Sequence, residues 1–201
     1  MVSCRRIEEH QDQAIIIVSG LPRSGTSMVM RMLEQGGLPL LTDNLRQPDE
    51  DNPKGYHEFD RVKDLAKGDT AWLFDAKGKA VKVITALLTH LPSAHTYKVL
   101  LMHRNMDEIL ASQRRMLVRR QAEQDPTSDD EMAGLFREHL KRIQGWMEQA
   151  ANLCYLDLDY NAMITDPLPA ATSIREFLSR SLDIEAMAAA VDPALYRQRA
   201  G

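Results

Sequence analysis

Ala14-Ile15-Ile16-Ile17-Val18-Ser19-Gly20-Leu21-Pro22-Arg23-Ser24-Gly25-Thr26-Ser27 is the stretch on which the reading of this chain turns. The apolar, mostly β-branched run predicts a strand over Ala14 to Ser19. A turn through Gly20 to Gly25 follows. From Thr26 the apolar spacing becomes helical, with Met28 and Met32 on the buried side, until Gly36-Gly37 ends the helix. A strand, a glycine turn and a helix in that order form a phosphate loop. The N–H groups of Gly25, Thr26 and Ser27 leave the helix start aimed at an anion, where the aligned peptide dipoles favour negative charge. The frame is G-x-x-x-x-G-T-S, but Thr26 stands where a nucleotide-triphosphate loop carries its lysine. Arg23 offers a cation instead, so the loop is expected to bind phosphate without being an ordinary ATPase.

Outward from this loop, strands and helices alternate. The chain predicts strands over Lys79 to Ile84, Tyr97 to His103 and Leu153 to Leu158. Helices are expected over Met106 to Gln121, Glu131 to Ala151 and Leu168 to Ser179, with a helix resuming near Glu58. Leu41 to Tyr56 is polar and rich in Pro and Gly, and reads as a long surface loop of the kind that carries function. Asp125 to Asp130 is a second loop, with an N-cap signal before the next helix. Strands separated by helices imply parallel pairing with right-handed crossovers. The expected fold is therefore α/β, a three-layer P-loop-type architecture with a mainly parallel central sheet.

Composition agrees with one compact globular domain. At 201 residues, 44% apolar and 27% charged, the chain suits a single domain over 1–201, with Met1 to Gln13 as a charged N-terminal tail. No apolar run reaches the length of a membrane span, and the first residues do not read as a signal peptide, so a cytoplasmic location is expected. A net charge of -4 argues against a nucleic-acid partner, which needs a broad basic footprint. Cys4 and Cys154 make neither a disulfide framework nor a metal site. No His/Cys cluster has metal-ligand spacing, and the expectation is that no metal is used.

The loop Gly20 to Ser27, G-L-P-R-S-G-T-S, resembles the 5′-phosphosulfate loop of sulfotransferases that use 3′-phosphoadenosine 5′-phosphosulfate (PAPS), in the small bacterial-type branch with Pro-Arg-Ser-Gly-Thr. Downstream of the apolar run Tyr97 to Met102, H-R-N-M-D-E-I-L-A-S sets Arg104 and Ser112 eight residues apart, similar to that family's 3′-phosphate motif. L-D-Y-N-A-M-I-T-D-P, Leu158 to Pro167, resembles the family's strand ending in Tyr, with Asn161 where an acid is often found. Asn52 to Phe59, N-P-K-G-Y-H-E-F, resembles the branch's Asn-Pro-x-Gly-Tyr-x-Glu segment. The resemblance spans about Ala14 to Leu178.

It implies transfer of a sulfuryl group from PAPS, with PAP as product, to a hydroxyl or amine of a small-molecule or glycan acceptor. In that reading Gly20, Pro22, Arg23, Ser24, Gly25, Thr26 and Ser27 hold the 5′-phosphosulfate. Arg104 and Ser112 take the 3′-phosphate, and Tyr160 touches adenine. Lys82 stabilises the leaving group, Arg23 shares in the chemistry, and Glu58 is the general base. Each role has a plainer rival. Lys82 suits a snorkelling edge-strand lysine, Glu58 a solvated acid favoured by a helix dipole, and Tyr160 a buried aromatic.

His57 adjoins Glu58 but is expected to point elsewhere, as helix neighbours do not share a face. His90, in Thr89-His90-Leu91-Pro92, looks like the base of cytosolic sulfotransferases, yet it follows Lys82 by eight residues where that family has two. A surface histidine is the better reading. Arg114, Arg115, Arg119 and Arg120 read as a solvated helix face, or as a device to steer a sulfated or phosphorylated acceptor. The basic C-terminal run Tyr196-Arg197-Gln198-Arg199 lacks the family's glycine-containing pattern. Other readings are a P-loop kinase or hydrolase, with Asp157 as its magnesium-holding strand residue, or a non-catalytic PAP/PAPS-binding protein. The acceptor is not legible in the chain.

Overall fold

The computed structural model describes residues 13–43, 45–49, 52, 54–119 and 127–196. The tail before residue 13, Cys4, Arg120, the loop residues Asp125 and Pro126, and Arg197 to Arg199 lie outside them.

The opening apolar run becomes β1, Ile15–Gly20, with every residue buried. Three parallel strands join it: β2, Ala80–Lys82, β3, Tyr97–His103, and β4, Leu153–Asp159, in the order β2-β1-β3-β4. In register, Val18 lies beside Lys82, Gly20 beside Met102 and His103 beside Asp159. Gly20, Lys82, Arg104 and Tyr160 therefore sit at or just past the carboxyl edge of one sheet. β1 has β2 on one side and β3 on the other, so the chain reverses direction of winding across it. In open α/β sheets ligands bind at such a switch point, outside the carboxyl ends of the strands.

Alternation along the strands divides the core. Ile16, Val18, Leu100, Met102 and Leu158 face one layer. That layer holds α1, Thr26–Gln35, and three later helices: α4, Tyr160–Thr165, α5, Pro167–Leu178, and α6, Ile184–Ala189. Ile15, Ile17, Val81, Val99 and Leu101 face the other, made by α3, Asp129–Gln149, through Ile143 and Met147, and by Trp72 and Leu73 of a 3₁₀ turn. This is the expected three-layer α/β arrangement. Between β3 and α3 runs α2, Met106–Arg119, which carries Ser112 on its buried side.

Helix ends follow their local chemistry. Gly37, at φ 90°, closes α1 in a Schellman arrangement: its N–H donates to Glu34 O at 3.0 Å and that of Leu38 to Leu33 O at 2.9 Å. Ser128 and Glu131 form a capping box that starts α3 two residues before the expected Glu131. Two expectations need correction. Glu58 and His57 are not on a helix; the segment is extended and the next helix, a 3₁₀ turn, starts at Asp60. The short helices α4 and α6 were not anticipated, because six residues offer too little periodicity to read.

Candidate active site

At the carboxyl edge of the sheet the chain walls a cleft of about 320 Å³. Pro22, Arg23, Gly25, Thr26 and Ser27 line it from the loop and the start of α1, Lys82 from the end of β2, and Glu58 from the segment before the 3₁₀ turn. Arg104, Ser112 and Tyr160 complete the opposite side. Thus ten of the predicted residues meet in one place although they span 139 positions of sequence, Pro22 to Tyr160 counted inclusively. Gly20 and Ser24 lie beneath the cleft instead. Ser24 is fully buried, and a Cβ on Gly20 would stand 2.3 Å from its Oγ, so the pair shapes the turn from inside.

The loop bends through two left-handed residues. Arg23 at φ 73° is strained for a side-chain-bearing residue, whereas Gly25 at φ 102° is not. A Cβ on Gly25 would also sit 2.4 Å from the Tyr160 ring. Glycine is therefore required twice over, by dihedral and by space. Gly25 is the N-cap of α1 and has no side chain to satisfy the first N–H groups, which leaves that helix end suited to an anion.

Lys82 enters the cleft base from β2. Its Nζ donates to Ser27 Oγ at 3.0 Å and to the Tyr56 carbonyl. Burial, above all, lowers its pKa to about 8, with the Arg46 and Arg23 charges adding to that and Glu58 opposing it. An ammonium with so few partners gains from an arriving anion. Ser27 Oγ also accepts from Asn52 Nδ2 at 3.0 Å, which ties the loop to residues 52–58. From outside that segment, Arg46 lies 3.3 Å over the Tyr56 ring and donates to Glu58 Oε1 at 3.0 Å. Tyr56 in turn donates to Asp49 at 2.6 Å.

On the other side, Arg104 donates through Nε to Glu108 at 2.8 Å and through a terminal nitrogen to the Arg23 carbonyl at 3.1 Å. The Arg23 Nε donates to Ser112 Oγ at 2.9 Å, so the two proposed phosphate motifs are in contact before any ligand enters. Tyr160 is buried as the first residue of α4, not the last of the strand, with Arg104 4.3 Å from its ring centre.

Several residues in the cleft had no role assigned from sequence. Asn52 and Tyr56 belong to a quoted motif, but their contacts with Ser27 and Lys82 are long-range. Arg31 and Arg46 gave no signal. Arg115 and Arg119 were noticed as a dense helix face, and they do line the cleft, while Arg114 pairs with Asp129. His57 lies outside the lining residues, for a different reason from the one expected: it takes a left-handed φ of 49° and turns its Nε2 into the protein without a hydrogen bond. Burial, chiefly, holds its pKa below the usual histidine value. His90 is exposed at the end of a 3₁₀ turn. Asp157, the magnesium residue of the kinase alternative, is paired with His103 at 2.6 Å and lies outside the cleft.

The fold is a P-loop-like parallel α/β sheet whose uncapped helix start opens on the cleft. The sequence model of the sulfotransferase domain matches residues 13–197, and the chain belongs to that family. Its activity is therefore that of a sulfotransferase, and the donor used by the family is PAPS. Among solved structures the chain is similar to sulfotransferase STF1 from Mycobacterium tuberculosis H37Rv. That match has 19% identity over 92% of this chain and 73% of the other, with a TM-score of 0.56. A sulfotransferase domain from the curacin biosynthetic pathway is also similar, at 15% identity over 91% of this chain and 89% of the other, with a TM-score of 0.54. At these identities the two neighbours speak for the fold. No curated protein matches the sequence. Among the described residues no helix is long and apolar enough to cross a membrane.

Proposed function

We propose that the cleft transfers the sulfuryl group of PAPS by in-line displacement to a hydroxyl or amine of a small-molecule acceptor. The observation that carries this reading is the meeting of Lys82 Nζ and Ser27 Oγ at the start of α1, inside the cleft that also holds Glu58, Arg104 and Ser112. These residues fit a phosphorylated, sulfated donor. A helix start without a capping side chain suits the 5′ group, and a second cation and a hydroxyl sit beside it for a 3′-phosphate. The donor supplies the activated sulfur–oxygen bond; the chain supplies alignment and charge.

Arg23, Thr26 and Ser27, with the adjacent N–H groups, hold the 5′ phosphosulfate oxygens. Arg104 and Ser112 take the 3′-phosphate, a charge-assisted contact that a nucleotide lacking this group leaves unmade. Tyr160 borders the nucleoside. Glu58 receives the proton of the acceptor as its oxygen or nitrogen bonds to sulfur. Arg46, which donates to Glu58 Oε1 at 3.0 Å, orients that carboxylate. Lys82 faces the bridging oxygen that carries the electron pair of the broken bond, and its ammonium stabilises that charge. No covalent enzyme intermediate is formed. We place the reaction in the cytoplasm, with no nucleic-acid partner.

A thermal shift with PAP, set against ADP and against ATP with magnesium, tests the donor assignment. Ligand at about 100 times its dissociation constant stabilises by about 2.7 kcal/mol, roughly 5–10 °C for a chain of this size. A shift with PAP alone is expected. A shift with ATP and magnesium alone overturns the reading.

A further inference from the structure

We infer that Glu108 and Tyr196 are positioning residues that hold Arg104 for the donor's 3′-phosphate, with the C-terminal turn thereby contributing to nucleotide selection. The inference rests on the PAPS reading above. It starts from a feature that reading leaves without a role: a carboxylate buried beside the arginine assigned to an anion. Glu108 and Arg104, four residues apart at the start of α2, keep only 2% and 7% of their side chains exposed. A negative charge here works against a phosphate unless it fixes something the phosphate needs.

The hydrogen bonds say what it fixes. Glu108 Oε2 accepts from Arg104 Nε at 2.8 Å. Its Oε1 accepts from Asn161 Nδ2 at 3.0 Å and from the Tyr196 hydroxyl, and Asn161 Nδ2 also donates to the Tyr196 oxygen at 2.9 Å. Both carboxylate oxygens are thus engaged, from the turn between β3 and α2, from α4 and from the segment that follows the 3₁₀ turn Pro193–Leu195. The guanidinium lies beside two rings, 4.3 Å from the centre of Tyr160 and 5.8 Å from that of Tyr196, which themselves meet edge to face. An arginine is rich in rotamers, and ordering it on binding costs free energy; one already ordered spends less of the contact energy on that. Asn161, which departs from the family's acidic residue, supplies the donor that a carboxylate could not offer to Glu108.

The test compares PAP with 5′-AMP, which differ only by the 3′-phosphate. Dissociation constants are measured by calorimetry for the full chain and for Tyr196→Phe, Glu108→Asp and Asn161→Ala, each checked for folding by its melting temperature. Tyr196→Phe keeps the ring and removes the hydroxyl. Glu108→Asp keeps the charge and withdraws it by one methylene. Both are expected to reduce the preference for PAP over AMP about tenfold, with AMP affinity unchanged within twofold. A purely structural role weakens the two nucleotides alike, and a purely electrostatic one leaves Glu108→Asp unaffected; either result overturns the inference. Should Glu108→Asp fail to fold, Asn161→Ala and Tyr196→Phe decide it by the same ratio. A wild-type chain that binds PAP no better than AMP overturns the donor reading itself.

Discussion

Two lysines lie in neighbouring regions of one sheet, nearly equally buried, and their surroundings give them different work. Lys98, 3% exposed near the start of β3, donates to the carbonyls of Phe177 and Leu178 at 2.9 and 3.0 Å. It caps the carboxyl end of α5, where backbone oxygens collect negative partial charge. Lys82, 9% exposed at the opposite, carboxyl edge of the sheet, meets a serine hydroxyl and one carbonyl in the wall of a cleft. Desolvation is therefore balanced within the fold at Lys98 and left partly unbalanced at Lys82. A strand lysine whose charge is answered internally serves the fold; one that lines a cleft is placed to answer an incoming anion.

The sharpest test of this contrast is Lys82→Ala. Transfer is expected to fall by about 10²–10³-fold, as for loss of one donor to a developing negative charge, while PAP affinity changes only a few-fold. Equal loss of both, or of neither, breaks the assignment, and a non-catalytic PAP-binding protein would show no rate to lose. Next, Glu58→Gln is expected to lower the rate by about a hundredfold, as for removal of a general base, with PAP affinity unchanged. If PAP affinity falls instead, the carboxylate belongs to the donor side of the cleft.

Lys98→Ala should do the reverse. Leaving two buried carbonyls without their donor is expected to cost about 2–3 kcal/mol of unfolding free energy, read by urea denaturation, with the transfer rate per folded molecule within twofold of wild type. A rate loss comparable to that of Lys82→Ala would erase the distinction.

The smallest effect is in pH. The Lys82 pKa, lowered to about 8 by burial first of all, sets the sign. Below that pH the ammonium is already charged and an anion binds it without proton exchange. Above it, binding is accompanied by proton uptake, and PAP affinity is expected to weaken until it levels off at the same few-fold loss as in Lys82→Ala. Calorimetry in buffers of different ionisation enthalpy should detect the uptake in wild type and in Lys98→Ala, and find it absent in Lys82→Ala.

Much of the site was legible because it is local. Gly20 to Ser27 and Arg104 to Ser112 are continuous motifs, and their spacing reports one turn and one helix. Lys82 was singled out as a charge in an apolar strand, a pattern that Lys98 shares within Tyr97 to Met102. Nothing in the pattern separates them, because what answers each charge lies 79 residues away for Lys98 and 55 for Lys82. Glu58 was expected on a helix since its neighbours favour one. Its segment is instead drawn out and held by Arg46, Asn52 and Tyr56, contacts between residues that carry no shared period.

By itself the sequence determined the layered α/β fold, the anion loop and the class of reaction. The fold and the loop follow from short-range physics, β-branched runs, glycine dihedrals and orphan N–H groups at a helix start, whereas the class of reaction follows from the resemblance of the motifs to the sulfotransferase family. Tertiary structure alone decided which buried lysine faces the cleft, how Arg104 is set against Glu108 and two tyrosines, and where Glu58 stands. Those depend on burial and on charges brought together across the chain, and desolvation is a property of the assembled surroundings, not of any residue or its neighbours in sequence.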